Sequence, residues 1–245
     1  MKPFLLLASR AEDVAAEEEY RSYLRFGGLE ESELRRIRLE AGPLPDLELS
    51  DYSGVIVGGS PFTSSDPPEH KSETQHRVER ELAGLLDRIV AQDFPFLGAC
   101  YGVGTLGRHQ GALIDRTYGE TLGGVTIKLT ADGLQDPLLT GMDERFDAFV
   151  GHKEACTVLP GNAVLLAGSA ACPVQMFRIK QNLYATQFHP ELDADGLALR
   201  INTYRYAGYF PPDDAGRLII EAHKHTVTEP MKLLRNFVSR YARLQ

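Results

Sequence analysis

Cys100 lies in the run Phe96-Leu97-Gly98-Ala99-Cys100-Tyr101-Gly102-Val103-Gly104, a short apolar stretch that ends in Gly-x-Cys-x-Gly and leads into a helix-like segment. This is the residue pattern of a nucleophile elbow, with cysteine in the place usually held by serine. A nucleophile on a sharp strand-to-helix turn occupies strained backbone. The residues two positions away on either side must therefore lack a Cβ for the turn to close. The turn also puts the sulfur at a helix N-terminus, where the positive end of the dipole favours thiolate over thiol. Cys100 is thus the candidate nucleophile, against the plainer reading of a structural cysteine after a buried strand.

A cysteine nucleophile needs a base, and the base needs an orienting group. Of seven histidines, His189 has the best surroundings, in Phe188-His189-Pro190-Glu191. Pro190 biases His189 towards extended backbone, where residues two apart project to the same side, so Glu191 can meet the imidazole and fix its tautomer. His152, in Gly151-His152-Lys153-Glu154, has the same His-x-Glu spacing but no proline, and is the weaker candidate. Glu221, His223 and His225 have metal-like spacing without a convergent further ligand, so no metal site is expected. His70, His76 and His109 read as solvated residues on or beside helices. A tetrahedral intermediate also needs backbone donors. The amide of Tyr101, directly after the nucleophile, supplies one, and the Gly58-Gly59 pair at the end of a neighbouring strand offers a second, against the alternative of an ordinary Gly-Gly turn.

The elements that must position these groups follow an α/β order. Phe4 to Leu7 and Val55 to Val57 are short apolar runs suited to strands covered on both faces. Leu34, Ile37 and Leu39, interrupted by arginines, predict a more exposed strand. Glu12 to Arg25 predicts a helix ended near Gly27-Gly28. A long helix is expected to open at Asp66-Pro67-Pro68, with Val78, Leu82, Leu85, Leu86, Ile89 and Val90 on one face. The first half therefore reads strand, helix, strand, strand, helix, strand, helix, which predicts a mostly parallel central sheet with helices on both faces. In the second half Val125, Ile127 and Leu129 alternate with polar residues, as do Val174, Met176 and Ile179, and predict a smaller antiparallel strand set. Leu183 to Glu191 reads as a strand running into a polar end. Leu234, Phe237, Val238 and Tyr241 mark a terminal amphipathic helix, whereas the tyrosines at 204, 206 and 209 have no reading. One domain over residues 1–245 is expected, with 193–245 as a C-terminal extension packed on it.

Composition narrows the partners. The 245 residues carry a net charge of −8, which argues against nucleic acid and against an anionic membrane surface. No run approaches a membrane span, and the apolar part of Met1–Arg10 is too short for a signal peptide. Three cysteines without metal spacing suit a reduced, cytoplasmic protein.

Taken together, the cysteine elbow, the preceding Gly58-Gly59 loop and the late Phe-His-Pro-Glu resemble the class I glutamine amidotransferase family, especially the amidotransferase domain of GMP synthase and its stand-alone relatives. The resemblance runs from Phe4 to Glu191. It implies a flavodoxin-like three-layer fold, a Cys100–His189–Glu191 triad and an oxyanion hole of the Gly59 and Tyr101 amides. It also implies a substrate site along Gly58, Gly102, Gly104, Gly151 and His152. The implied reaction is attack on the γ-carboxamide of glutamine or a γ-glutamyl amide, through a γ-glutamyl thioester, with release of ammonia or an amine and no cofactor. The family usually has glutamine four residues after the cysteine; here that position is Gly104, expected to leave the pocket roomier and free glutamine a poorer substrate. The chain lacks a Gly-rich ATP-pyrophosphatase segment, so the ammonia acceptor is expected on a separate synthetase subunit, or the enzyme is a plain hydrolase. The alternative is a non-catalytic amidotransferase-like binding or regulatory protein. A cysteine hydrolase or chaperone of another cysteine-elbow family is disfavoured by the late His-Pro-Glu.

Overall fold

A computed structural model describes residues 1–244 of the chain. In chain order the elements are β1 (Phe4–Ala8), α1 (Asp13–Gly27), β2 (Leu34–Arg38), β3 (Val55–Val57), α2 (Glu73–Gln92), β4 (Phe96–Ala99) and α3 (Tyr101–His109). There follow β5 (Leu113–Asp115), β6 (Glu120–Leu129), α4 (Ala131–Gln135), β7 (Arg145–His152), β8 (Ala155–Val158), β9 (Ala163–Gly168), β10 (Met176–Ile179) and β11 (Leu183–Thr186). Helices α5 (Ala194–Thr203), α6 (Ala215–Ala222) and α7 (Glu229–Tyr241) complete it.

One nine-stranded sheet carries the molecule, in the order β2-β1-β3-β4-β11-β10-β9-β6-β7. Strands β2, β1, β3, β4 and β11 are mutually parallel, and the strands from β10 onward extend the same sheet antiparallel. The small β5–β8 pair stands apart. This is the expected α/β layering, with the antiparallel set continuous with the main sheet.

The layers follow from strand alternation. Phe4 and Leu6 of β1 face a core shared with Tyr23 and Phe26 of α1 and with Leu234 and Phe237 of α7. Leu5 and Leu7 face the opposite core, with Val78, Leu82, Leu85 and Leu86 of α2 and Val103 and Leu106 of α3. Each such leucine contributes about 1.5–3 kcal/mol by leaving water, so a polar residue at Leu6 would open one layer and at Leu7 the other. A third, smaller core joins Leu122 and Phe149 to Leu197 and Ile201 of α5 and Ala215 and Ala222 of α6. Gly28 ends α1 in the left-handed conformation at φ 67°, its N–H on the Leu24 carbonyl.

Two boundaries differ from expectation. Helix α2 starts at Glu73, because the Ser72 hydroxyl caps it by accepting from the Gln75 amide; Pro68–His70 forms only a single tight turn before it. Strand β11 stops at Thr186, and the segment beyond it is held irregularly, with the Gln187 amide on the Gln175 carbonyl and the His189 amide on the Phe149 carbonyl. Among the described residues no helix is long and apolar enough to cross a membrane.

Candidate active site

The carboxyl ends of three adjacent parallel strands, β3, β4 and β11, bring the candidate residues together, as ligand sites of open α/β sheets generally are. Cys100 follows β4 directly and has φ 52° and ψ −86°, left-handed backbone that a side chain rarely adopts. Its amide donates to the Thr186 carbonyl at 2.7 Å, pinning the turn to the end of β11. The flanking glycines do what the spacing predicts: a Cβ at Gly98 would lie 2.7 Å from the Gly102 Cα, so strand and helix could not close. Gly102 therefore serves the elbow itself, and it is buried.

His189 Nδ1 lies 2.9 Å from Glu191 Oε1, both side chains buried. Nε2 is then the nitrogen left for Cys100, although no hydrogen bond joins the imidazole to the thiol in this state. Both line one small cavity with Arg10, Gly151, Tyr204 and Tyr209. A second cavity that also borders Cys100 is lined by Gly104, His152, Glu154 and again Gly151 and Tyr209. Each has a volume of about 20 Å³, room for about one water. The thiol points at the Gly151 carbonyl, 3.9 Å away. Gly59 abuts the imidazole, since a Cβ there would lie 2.6 Å from His189 Cε1. The Tyr101 amide is among the first N–H groups of α3, which have no intrahelical acceptor. Gly58 faces elsewhere, against the Glu19 carboxylate.

Electrostatics depart from the sequence expectation at Cys100. Burial pushes the Cys100 thiol up to about 12, with Arg10 and Arg200 opposing and Glu154 and Glu191 adding to the rise. Cys100 is half-buried, and the surrounding protein raises its thiol rather than lowering it as the elbow alone would suggest, so the thiol rests protonated. Burial likewise brings His189 down to about 4; Glu191 pulls upward, while Arg200 and Arg10 reinforce the fall. Burial opposes charge on Glu191, yet the imidazole and Arg200 overcome it and hold that carboxyl far below the usual range. A neutral imidazole beside a protonated thiol is the reactant state for general-base activation.

Several groups here escaped sequence reasoning. Arg10, after β1, donates to Glu19 Oε1 at 3.0 Å and to the Tyr204 hydroxyl at 3.1 Å. Burial pushes the Glu19 carboxyl up, against the pull of Arg10 and Arg200. Arg200 of α5 reaches Glu191 and His189 at 2.9 and 3.0 Å. The sequence did carry a trace of these. Glu19 falls on the apolar stripe of α1 with Ala15, Ala16 and Tyr23, and Arg200 on that of α5 with Leu197 and Ile201. The unread tyrosine segment caps the cysteine: Tyr209 lines both cavities, and Lys153 holds the segment through the Ala207 carbonyl at 2.7 Å and the Tyr209 ring.

Gly104 is not an open space. A Cβ there would lie 2.5 Å from Ser64 Oγ and 2.8 Å from Glu154 Oε1. The Glu154 carboxylate accepts from the Ser64 and Ser65 amides at 2.8 and 2.6 Å and so fills the region over the glycine. His152 turns its Nε2 to Glu120 at 2.9 Å and its Nδ1–H to the Glu154 carbonyl at 2.9 Å. Glu120, His152 and Cys172 bring three potential ligand atoms within 4.8 Å of one another behind β7. His223 and His225 separate, pairing with Asp195 and Asp147.

Residues 30–196 match the family model described as "Glutamine amidotransferase class-I". Among curated relatives, the chain is 32% identical over 154 residues to a glutamine-hydrolyzing GMP synthase of Porphyromonas gingivalis, covering 61% of this chain and 26% of that protein. It is 29% identical over 140 residues to one subunit of a glutamine-hydrolyzing GMP synthase of Methanoculleus marisnigri, covering 57% of this chain and 65% of the relative. The chain spans about a quarter of the length of the full GMP synthases it matches, 28% and 26% in two cases. A solved glutamine amidotransferase from Thermotoga maritima superposes with TM-score 0.77 at 20% identity, covering 98% of each chain, and shows the same fold.

Proposed function

The chain belongs to the class-I glutamine amidotransferase family, and from that premise we propose that it hydrolyses a γ-carboxamide, of glutamine or a γ-glutamyl amide, through a thioester on Cys100. The observation that carries this reading is a cysteine held in left-handed backbone on the cavity that His189 also lines, with His189 paired to the buried Glu191. His189 Nε2 takes the thiol proton as sulfur attacks the carboxamide carbon. The Gly59 and Tyr101 amides receive the developing oxyanion. The imidazolium then gives its proton to the leaving nitrogen, so ammonia or an amine departs and the acyl group stays on sulfur. Water, activated by the same imidazole, releases the carboxylate and restores the thiol.

Glu154, the buried carboxylate that lines a cavity with Cys100, receives the ammonium of the γ-glutamyl group, with Gly151, His152 and Gly104 shaping that end. A cavity for about one water does not hold this substrate, so entry requires the Tyr209 cap to move. The ammonia acceptor sits on a separate synthetase subunit. The likeness to a GMP synthase that is divided into subunits, in Methanoculleus marisnigri, supports that division of labour. A reducing, cytoplasmic setting fits a chain whose Cys100, Cys156 and Cys172 are all unpaired.

The test is ammonia or amine release from glutamine and a series of γ-glutamyl amides, with and without a synthetase fraction. Turnover abolished in Cys100→Ala is the expected result. Turnover on none of these amides, or turnover surviving in Cys100→Ala, overturns the reading and favours a non-catalytic relative.

A further inference from the structure

Arg200 is buried to 2% exposure on α5, and both of its close contacts end on the His–Glu pair: Nη2 donates to Glu191 Oε1 at 2.9 Å and Nη1 lies 3.0 Å from His189 Nδ1. Its contacts to Glu18 and Glu19 are longer, 3.5 and 3.8 Å, and Glu19 already has Arg10 at 3.0 Å. A purely structural cation would be expected to satisfy the spare carboxylates first. We infer that Arg200 is a positioning residue for the hydrolysis, holding Glu191 against the imidazole and biasing the proton on His189 towards the leaving group.

The inference rests on the proposed Cys100–His189–Glu191 reading. Glu191 Oε1 serves both the imidazole and the guanidinium, while its Oε2 has no partner. A buried carboxylate with one neutral donor alone would tend to take up a proton and lose its grip on the ring. The guanidinium supplies the charge that keeps it ionised. A guanidinium has only N–H groups, so it cannot accept from His189 Nδ1; Glu191 alone can receive that proton. Glu191 thus selects the active tautomer, with Nε2 bare towards the thiol, against the Arg200 Nη1–H that faces the same ring nitrogen.

Arg200 also bears on the charged intermediate. Once Nε2 has the thiol proton, a cation stands 3.0 Å from the other ring nitrogen. The imidazolium is then a stronger acid and passes its proton to the departing nitrogen more readily. The other charged and titratable groups facing this centre are Arg10 before α1, Glu18, Glu19 and Tyr23 on α1, Cys100 at the elbow, Glu191 after β11, and Tyr204 and Tyr209 after α5. Arg10 adds to the effect on His189, so removing Arg200 weakens it without abolishing it.

The experiment compares wild type, Arg200→Gln and Arg200→Lys, with Cys100→Ala as the control for the underlying reading. Rates are normalised to active sites titrated by a Cys100-directed chloroketone, and full pH profiles are taken. In Arg200→Gln, kcat per titrated site is expected to fall on the order of 10²-fold with KM nearly unchanged. The acid limb of kcat/KM is expected to move up by about one pH unit, since a lowering charge is gone. Arg200→Lys restores the limb by its charge but recovers kcat only in part, because it lacks the fork. If Arg200→Gln does not fold, the Lys variant decides alone: kcat per site and acid limb both at wild-type values overturn the inference. Loss of folded protein with unchanged kcat per titrated site and unchanged pH profile also overturns it, leaving a structural role. Activity retained in Cys100→Ala would instead overturn the triad.

Discussion

The chain contains the same three-residue pattern twice, His152-Lys153-Glu154 and His189-Pro190-Glu191, and the two fold to different ends. At the second, the side chains pair with each other at 2.9 Å. At the first, the imidazole takes the Glu154 carbonyl and the Glu120 carboxylate, while the Glu154 carboxylate turns away to the Ser64 and Ser65 amides. His152 is the last residue of β7, so Lys153 and Glu154 turn to start β8. His189 lies in the irregular segment after β11, with Pro190 restraining its backbone. Spacing permits a His–Glu pair; the backbone leaving the strand decides whether it forms. Both sites border Cys100, one suited to moving a proton and the other to holding a ligand.

The largest expected contrast lies in the two histidines. His189→Ala should lower kcat by about 10³-fold or more, as loss of a general base does. His152→Ala should leave kcat within a few-fold and raise KM, because it frees Glu154 and Gly151 rather than the base. Steady-state kinetics on one γ-glutamyl amide checks both. A kcat collapse in His152→Ala with His189→Ala active would reverse the assignment of the two patterns.

The carboxylates should repeat the contrast on a smaller scale. Glu191→Gln keeps a hydrogen-bonding shape but lets the imidazole choose the wrong tautomer, so kcat should drop on the order of 10²-fold. Glu154→Gln keeps kcat and raises KM for glutamine. Its KM for glutaramate, which lacks the ammonium, should hardly change. Equal KM effects on the two substrates would remove Glu154 from ammonium recognition.

Acidity separates the patterns next. With His189 lowered to about 4, the base stays neutral and the acid limb of kcat/KM should fall near pH 4 rather than near 6.5. The unfolded chain takes up the His189 proton first as pH falls, so this group's contribution is complete above about 6.5 and lost progressively down to about 4. Thermal midpoints across that range should decline in wild type and decline less in His189→Asn. An acid limb between about pH 6 and 7 would show a charged resting imidazole and contradict the burial argument.

Much of this was readable from residue types. Gly98, Cys100 and Gly102 announced the turn because a residue in left-handed backbone between strand and helix tolerates no Cβ at Gly98. His189 and Glu191 were readable because proline fixes local backbone. The thiol's protonation was not, since it depends on how the parallel strands and the Tyr209 segment pack around a half-buried Cys100, a property of tertiary packing. Arg10, Glu19 and Arg200 come from three separate segments, and only the docking of α1 and α5 makes one cluster of them. Glu19 and Arg200 betrayed themselves by sitting on apolar stripes, but a stripe does not say which charge will meet it. The start of α2 was misplaced because Pro67-Pro68 resembles a helix opening, while the side chain of Ser72 makes the actual cap.

The smallest expected effect tests the boundary between the two patterns, at Gly104. The sequence suggested that glycine here leaves the pocket roomier and makes free glutamine a poorer substrate. The Glu154 carboxylate and Ser64 already occupy that space, and even a methyl group would come within 2.8 Å of one and 2.5 Å of the other. Ser64 Oγ has no hydrogen-bond partner and can rotate aside, whereas Glu154 is tied by two amides. Gly104→Ala should therefore cost about 1–3 kcal/mol of stability, as overpacking does, and should raise KM by displacing the carboxylate. It should leave kcat and the acid limb alone, because Gly104 and His189 line different cavities beside Cys100. Ser64→Ala combined with Gly104→Ala removes the nearer clash but not the one with Glu154. Thermal stability should then recover in part while KM stays high. Recovery of both would make Ser64 the sole obstacle and leave Glu154 without a part in binding. A fall in kcat in Gly104→Ala would mean that the two cavities beside Cys100 are not independent, and the contrast between the two patterns would fail there.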